Sequence, residues 1–128
     1  GGLAGALAAL GGRLVPGFEL VADELDLYDR LETADLVITG EGHLDRQSFE
    51  GKVVGGVADL AAEHGMPVAA IVGIADAEVA DRIPTWSITE RFGLDRSMRE
   101  PLWCVEQVAA EVLRAAESGE LGELETKR

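Results

Sequence analysis

Residues 39–52 crowd side chains suited to chemistry into one short stretch. They read Thr39-Gly40-Glu41-Gly42-His43-Leu44-Asp45-Arg46-Gln47-Ser48-Phe49-Glu50-Gly51-Lys52. Three glycines, two hydroxyls, three carboxylates, an arginine and a lysine fall within this stretch. Glycines such as Gly40 and Gly42 let backbone N–H groups come close to a ligand, and a helix N-terminus just beyond favours an anion. Arg46 and Lys52 add full positive charges, and Lys52 is the only lysine before the last two residues. Thr39, Ser48 and the Gln47 amide are neutral hydrogen-bond donors. Glu41 and Asp45 are four residues apart; they can share a Mg²⁺, or one can act as a base. Cations on phosphate oxygens, a metal and a base for an attacking hydroxyl are the components of phosphoryl transfer. The spacing is not that of a P-loop, because Val53 and not Ser or Thr follows Lys52. The plainer alternative is a polar turn with an Asp cap and surface ion pairs.

The flanking pattern predicts how such a stretch is held. Residues 34–38, ending Leu36-Val37-Ile38, read as a short buried strand that leads into a loop. A helix follows from Gly51 or Lys52 to Glu63, with Val53, Val57, Leu60 and Ala61 on its apolar side. His64 and Gly65 end it, as a late cation and a left-handed cap. Val68-Ala69-Ala70-Ile71-Val72 is a continuous apolar strand of the kind covered on both faces. Residues 73–81 read as a loop with one helical turn, 85–89 as a weaker third strand, and 91–97 as a polar connector. Met98, Leu102, Val105, Ala109, Val112, Leu113 and Ala116 mark a long amphipathic helix, with Pro101 in its first turn. Upstream, Leu3, Leu7, Leu10 and Leu14 recur at helical spacing among small residues. Phe18, Val21, Leu25, Tyr28 and Leu31 form a second stripe, backed by a solvated acidic face that includes Glu19. Strands alternating with helices predict an α/β fold with a parallel sheet flanked by helices. Three strands are few for such a sheet, so missing chain or a second copy is expected to complete it. The open edge and uncovered apolar face point to a possible homo-oligomer.

Composition narrows the function classes. The chain has 128 residues, 47% of them hydrophobic, which suits one folded core. A net charge of −13 argues against nucleic acid and anionic membrane surfaces as partners. It also requires a locally positive site for any anionic substrate. The single cysteine, Cys104, excludes an internal disulfide, fits a reducing cytoplasm, and reads as buried and inert. No signal segment opens the chain, and no apolar run nears the ~20 residues of a membrane span. The chain opens on Gly1 in mid-helix pattern, as a piece of a longer polypeptide would, or one trimmed of a leader or tag. Trp86 and Trp103 read as core or interface residues. His43 has two readings, an exposed loop histidine or a ligand or acid–base group.

The central stretch also carries a resemblance. Ile38-Thr39-Gly40-Glu41-Gly42, Asp45, Gln47-Ser48, Gly51-Lys52 and Gly56-Val57-Ala58 resemble the signature of bacterial two-domain glycerate kinases. Gly1-Gly2-Leu3-Ala4-Gly5 and Pro16-Gly17-Phe18-Glu19-Leu20-Val21 resemble the segments upstream of it. The similarity is strong to residue 73 and looser to residue 117. It implies a Rossmann-like domain interrupted by a large inserted domain, with the active site in the cleft between them. Residues 1–33 would end the inserted domain, 34–117 would return to the Rossmann-like one, and 118–128 would be a disordered tail. The chain would then be an incomplete half of the fold. The implied activity transfers the γ-phosphate of ATP to D-glycerate with Mg²⁺. Lys52, Asp45 and Glu41 would be catalytic, with Glu41 and Asp45 holding Mg²⁺. Thr39, Gly40, Gly42, Arg46, Gln47 and Ser48 would line the substrate or phosphate. The chain departs from the family pattern in three places. His43 stands where arginine is expected, Val54 replaces a common proline, and residues 73–85 are shortened. The competing expectation is a non-enzymatic α/β module that binds an anion, a nucleotide or a protein partner.

Overall fold

A computed structural model describes residues 2–121. The apolar run at Val37 starts a strand, β1 (Val37–Leu44), and Val68 starts another, β2 (Val68–Ala75). They pair in parallel, with Val37 opposite Val68 and Leu44 opposite Ala75. A short third strand, β3 (Thr85–Ser87), pairs in parallel with β2, so the sheet order is β1-β2-β3. The fold is therefore α/β, with a three-stranded parallel sheet flanked by helices, as expected.

Helices precede and connect the strands: α1 (Gly2–Ala9), α2 (Gly17–Glu24), α3 (Leu27–Leu31), α4 (Val53–Glu63), α5 (Ile88–Phe92), α6 (Leu94–Arg99) and α7 (Pro101–Glu117). Strand residues alternate sides of the sheet, so adjacent Ala69 and Ala70 serve two different cores. Ala70 and Val72 pack with Leu44, Val54 of α4 and Val79 on one face. Ala69 packs with Ile88, Cys104, Val108 and Val112 on the other. Two-sided cover explains why β2 is nearly all apolar.

The structure corrects several boundaries and faces. β1 does not give way to a loop at Thr39 but stays paired through Gly40, Glu41, His43 and Leu44. In α4 the expected Leu60 and Ala61 are buried, but they are joined by Val54, Gly55 and Ala58, while Val53 is exposed and Val57 half-buried. In α7 Val112 and Ala116 are buried as expected, together with Cys104 and Val108, while Leu102, Val105 and Leu113, and Met98 in α6, are exposed. The polar connector at 91–97 is folded into α5 and α6, with Ser87 capping α5 by accepting from the Glu90 amide. The third strand stops at Ser87 for the same reason. The second stripe breaks at Asp26, which takes the left-handed conformation and splits α2 from α3; Val21, Leu25 and Tyr28 are exposed. None of the leucines of the first stripe is buried. Cys104 is fully buried as expected, and Pro101 opens α7. Residues 118–121 form a turn, with Leu121 against the second core. The remainder of the expected tail lies outside the described residues. Among the described residues, no helix is long and apolar enough to cross a membrane.

Glycine decides how closely β1 and β2 approach. A Cβ on Gly40 would lie 2.2 Å from the Ile71 carbonyl oxygen, and one on Gly73 would lie 2.3 Å from that of Gly42. Gly42 itself faces open space. Gly73→Ala should therefore destabilise the chain by about 1–3 kcal/mol, the range for overpacking against an unyielding neighbour. Gly42→Ala should cost much less. Urea unfolding of the two variants checks this, and equal stabilities would contradict the close-approach account.

Candidate active site at the carboxyl end of β1

Ligands of parallel α/β sheets gather at the carboxyl ends of strands. β1 ends at Leu44, which is fully buried and anchors the strand end in the first core. The chain then turns through a 3-10 segment (Arg46–Phe49) capped by Asp45. Asp45 Oδ1 accepts from the Ser48 amide at 3.0 Å, and Ser48 Oγ accepts from the Asp45 amide at 3.0 Å. This reciprocal box satisfies two otherwise orphaned donors and fixes the Asp45 carboxylate. Ser48 is fully buried, so its part is internal. Gly51, at φ +83, turns the chain into α4. Lys52 then occupies the N-cap position of α4 in an extended conformation. Its Nζ lies 3.8 Å from Asp45 Oδ1.

The surroundings set the charge state of Asp45. Partial burial pushes its carboxyl up, but the Ser48 amide, the Lys52 charge, the Ser48 hydroxyl and the Gln47 amide together outweigh that and hold it below its ordinary value. Asp45 is therefore a firm anion and a weak base. Glu41 differs. One of its carboxylate oxygens, Oε1, is shielded from solvent and has no hydrogen-bond partner. A desolvated oxygen of this kind costs free energy until a donor or cation satisfies it.

The structure thus brings Asp45, Ser48 and Lys52 together, with Glu41 four residues upstream on the same strand end. Arg46 and Gln47 are exposed on the 3-10 segment, and Gly42 is exposed on β1. Thr39 and Gly40 lie further back in the ladder; Thr39 is buried, and Gly40 sits against the Ile71 carbonyl.

Mg²⁺ is commonly held by one or two carboxylates, with water and phosphate oxygens completing six ligands. Glu41 Oε1 is an unpartnered carboxylate oxygen, a ligand of the right chemistry, while Asp45 Oδ1 is already engaged by Ser48 and Lys52. No group of three or more His, Cys, Asp or Glu suited to a metal occurs among the described residues. The residues fit a metal completed by substrate oxygens, not a cage made by protein alone.

One contact was not foreseen. His43 Nε2 lies 2.8 Å from Asp76 Oδ1, just beyond β2. The expectation of a loop from residue 73 is corrected: β2 runs on to Ala75 and so places Asp76 at its end, beside His43. The Asp76 hydrogen bond raises the His43 pKa above 6.5, slight desolvation opposes it, and the charges of Asp76, Asp45 and Glu41 add to the rise. A raised folded value means the stabilisation is complete below the unfolded pKa, about 6.5, and fades as pH climbs through the folded one. An NMR titration should place the His43 ring above 6.5 and move it back down in Asp76→Asn. An unmoved midpoint would show that Asp76 does not hold the ring in solution.

Comparison with known proteins identifies the family. The model of the Glycerate kinase family matches residues 1–119. A glycerate kinase from Halalkalibacterium halodurans is 47% identical over 74 residues, covering 57% of this chain and 20% of that protein. A glycerate 2-kinase from Escherichia coli is 46% identical over 74 residues, covering 57% and 19%. A glycerate kinase from Bacillus cereus is 38% identical over 96 residues, covering 74% and 23%. The matched segment spans about a fifth of the length of these relatives. No solved structure matches. With a family match across nearly its whole length, the chain belongs to the glycerate kinase family.

Proposed function

We propose that this chain is the C-terminal portion of a kinase that transfers the γ-phosphate of ATP to D-glycerate, and that residues 39–52 form one wall of its active-site cleft. The observation that carries this reading is Lys52 Nζ at 3.8 Å from a capped, firmly ionised Asp45, at the carboxyl end of a parallel strand. In this reading residues 1–33 end an inserted domain and residues 34–117 belong to a Rossmann-like one. A cytoplasmic location accompanies it, as does the possibility of a homo-oligomer.

The roles follow from the chemistry of each side chain. Lys52 leaves Asp45 to contact phosphate oxygens, whose charge shifts as the terminal phosphoryl group moves. Arg46, exposed on the 3-10 segment, adds a second cation. Gln47 and the exposed backbone at Gly42 contribute hydrogen bonds to substrate or phosphate. Ser48 acts indirectly by holding Asp45. Asp45 balances Lys52, and as a weak base it is the poorer candidate for taking the hydroxyl proton. Glu41 is the better one, through its unsatisfied oxygen. Mg²⁺ bound by Glu41 and the remaining Asp45 oxygen would neutralise phosphate charge. During transfer the acceptor hydroxyl oxygen bonds to the γ-phosphorus as its proton passes to Glu41, the bond to the β–γ bridging oxygen breaks, and ADP leaves with that electron pair.

The test is steady-state kinetics in a full-length polypeptide carrying this chain. Lys52→Ala should lower kcat by about 10²–10³-fold, typical of a lost electrostatic contact to the transition state, and raise the glycerate KM less. Asp45→Asn should lower activity comparably and shift the Mg²⁺ dependence. Glu19→Gln, on the exposed face of α2, should change little. Near-wild-type kcat in a folded Lys52→Ala variant would make the stretch a structural turn. It would also favour the reading of the chain as a non-enzymatic binding module.

A further inference from the structure

The end of β1 carries Glu41 and leads directly into Asp45, yet little side-chain packing holds this part of the ladder. Gly42 is exposed, Gly73 has no side chain, and Ile74 is 44% exposed. Leu44 anchors the strand from below. The other anchor is Asp76. Its backbone amide donates to the Leu44 carbonyl at 2.9 Å, and its carboxylate accepts from His43 Nε2 at 2.8 Å. Its own carbonyl accepts from the amides of Val79 and Ala80, at 3.0 and 3.1 Å. Val79 is buried in the first core. One residue thus ties the end of β1, by backbone and side chain, to a turn seated in the core. The residue it grips, His43, lies midway between Glu41 and Asp45.

We propose that His43 and Asp76 are a positioning pair for the candidate site. The clasp fixes where the end of β1 lies on β2, and so where the Glu41 and Asp45 carboxylates stand relative to Lys52. The inference rests on the phosphoryl-transfer reading above. An ion pair with both partners about half exposed adds little to stability. Its effect is therefore on placement, where an error of about 1 Å can cost on the order of 10²-fold in rate. Glutamine can place an amide donor where His43 Nε2 stands, without a titrating ring, and so separates the hydrogen bond from other properties of histidine.

The experiment compares His43→Ala, His43→Gln and Asp76→Ala in the full-length polypeptide, with amide exchange measured in the same variants. His43→Ala and Asp76→Ala should each lower kcat by about 10- to 100-fold while the KM values for ATP and glycerate stay within about two-fold. His43→Gln should recover most of the loss. The Asp45 and Ser48 amides should exchange faster in both alanine variants and near the wild-type rate in His43→Gln. A kcat unchanged in His43→Ala, or a loss that His43→Gln does not recover, overturns the proposal. So does unchanged exchange at Asp45 and Ser48. If the unsubstituted protein does not phosphorylate glycerate, the functional reading fails first; the exchange data then still decide whether the clasp places Asp45.

Discussion

The close parallel pairing of β1 and β2 is the constraint on which the rest of the structure depends. At its centre the Ile71 and Gly42 carbonyls fill the space where side chains on Gly40 and Gly73 would begin. The pairing therefore holds only with glycine at both positions. It carries the strand beyond its apolar start and brings Glu41, His43 and Asp45 to the sheet's carboxyl edge. Two small cores press the helices onto the faces of β2, and Leu44 fastens the end of β1 into one of them.

The charge arrangement follows from that placement. In a chain with a net charge of −13, an anionic substrate needs local cations and restrained carboxylates. Ser48 restrains Asp45 through the capping box, and Lys52 stands over the same oxygen. Asp76 engages His43. Among the described residues, Glu41 alone keeps a buried side-chain oxygen without a hydrogen-bond partner.

Much of this was legible in the sequence, and the failures have physical causes. The start of β1 and residues 68–72 of β2 stand out because apolar runs rich in Val and Ile favour strands, although Ile38 is exposed; residues 73–75 of β2 read as loop. The end of β1 does not stand out, because Gly40-Glu41-Gly42-His43 has no β-forming side chains and its pairing is purely backbone. The period of α7 was clear but its buried face only in part: Val112 and Ala116 are buried as expected. Exposed Leu102 and Val105 run beside buried Cys104 and Val108, so hydrophobicity marks two neighbouring stripes and packing chooses between them. Helices α5 and α6 are five and six residues long, too short to show a period. Asp45, Ser48 and Lys52 were readable because a cap and its neighbours are local in sequence. The clasp to Asp76 joins residues 33 apart and needed the strand register to be seen.

The most direct measurement is a crystal structure of the full-length polypeptide with a non-hydrolysable ATP analogue, Mg²⁺ and glycerate bound. The account predicts Lys52 Nζ in contact with the terminal phosphate, and Glu41 within bonding distance of the metal or the acceptor hydroxyl. Nucleotide and glycerate bound away from residues 39–52, with Lys52 still turned to Asp45 and Glu41 still unpaired, would contradict it.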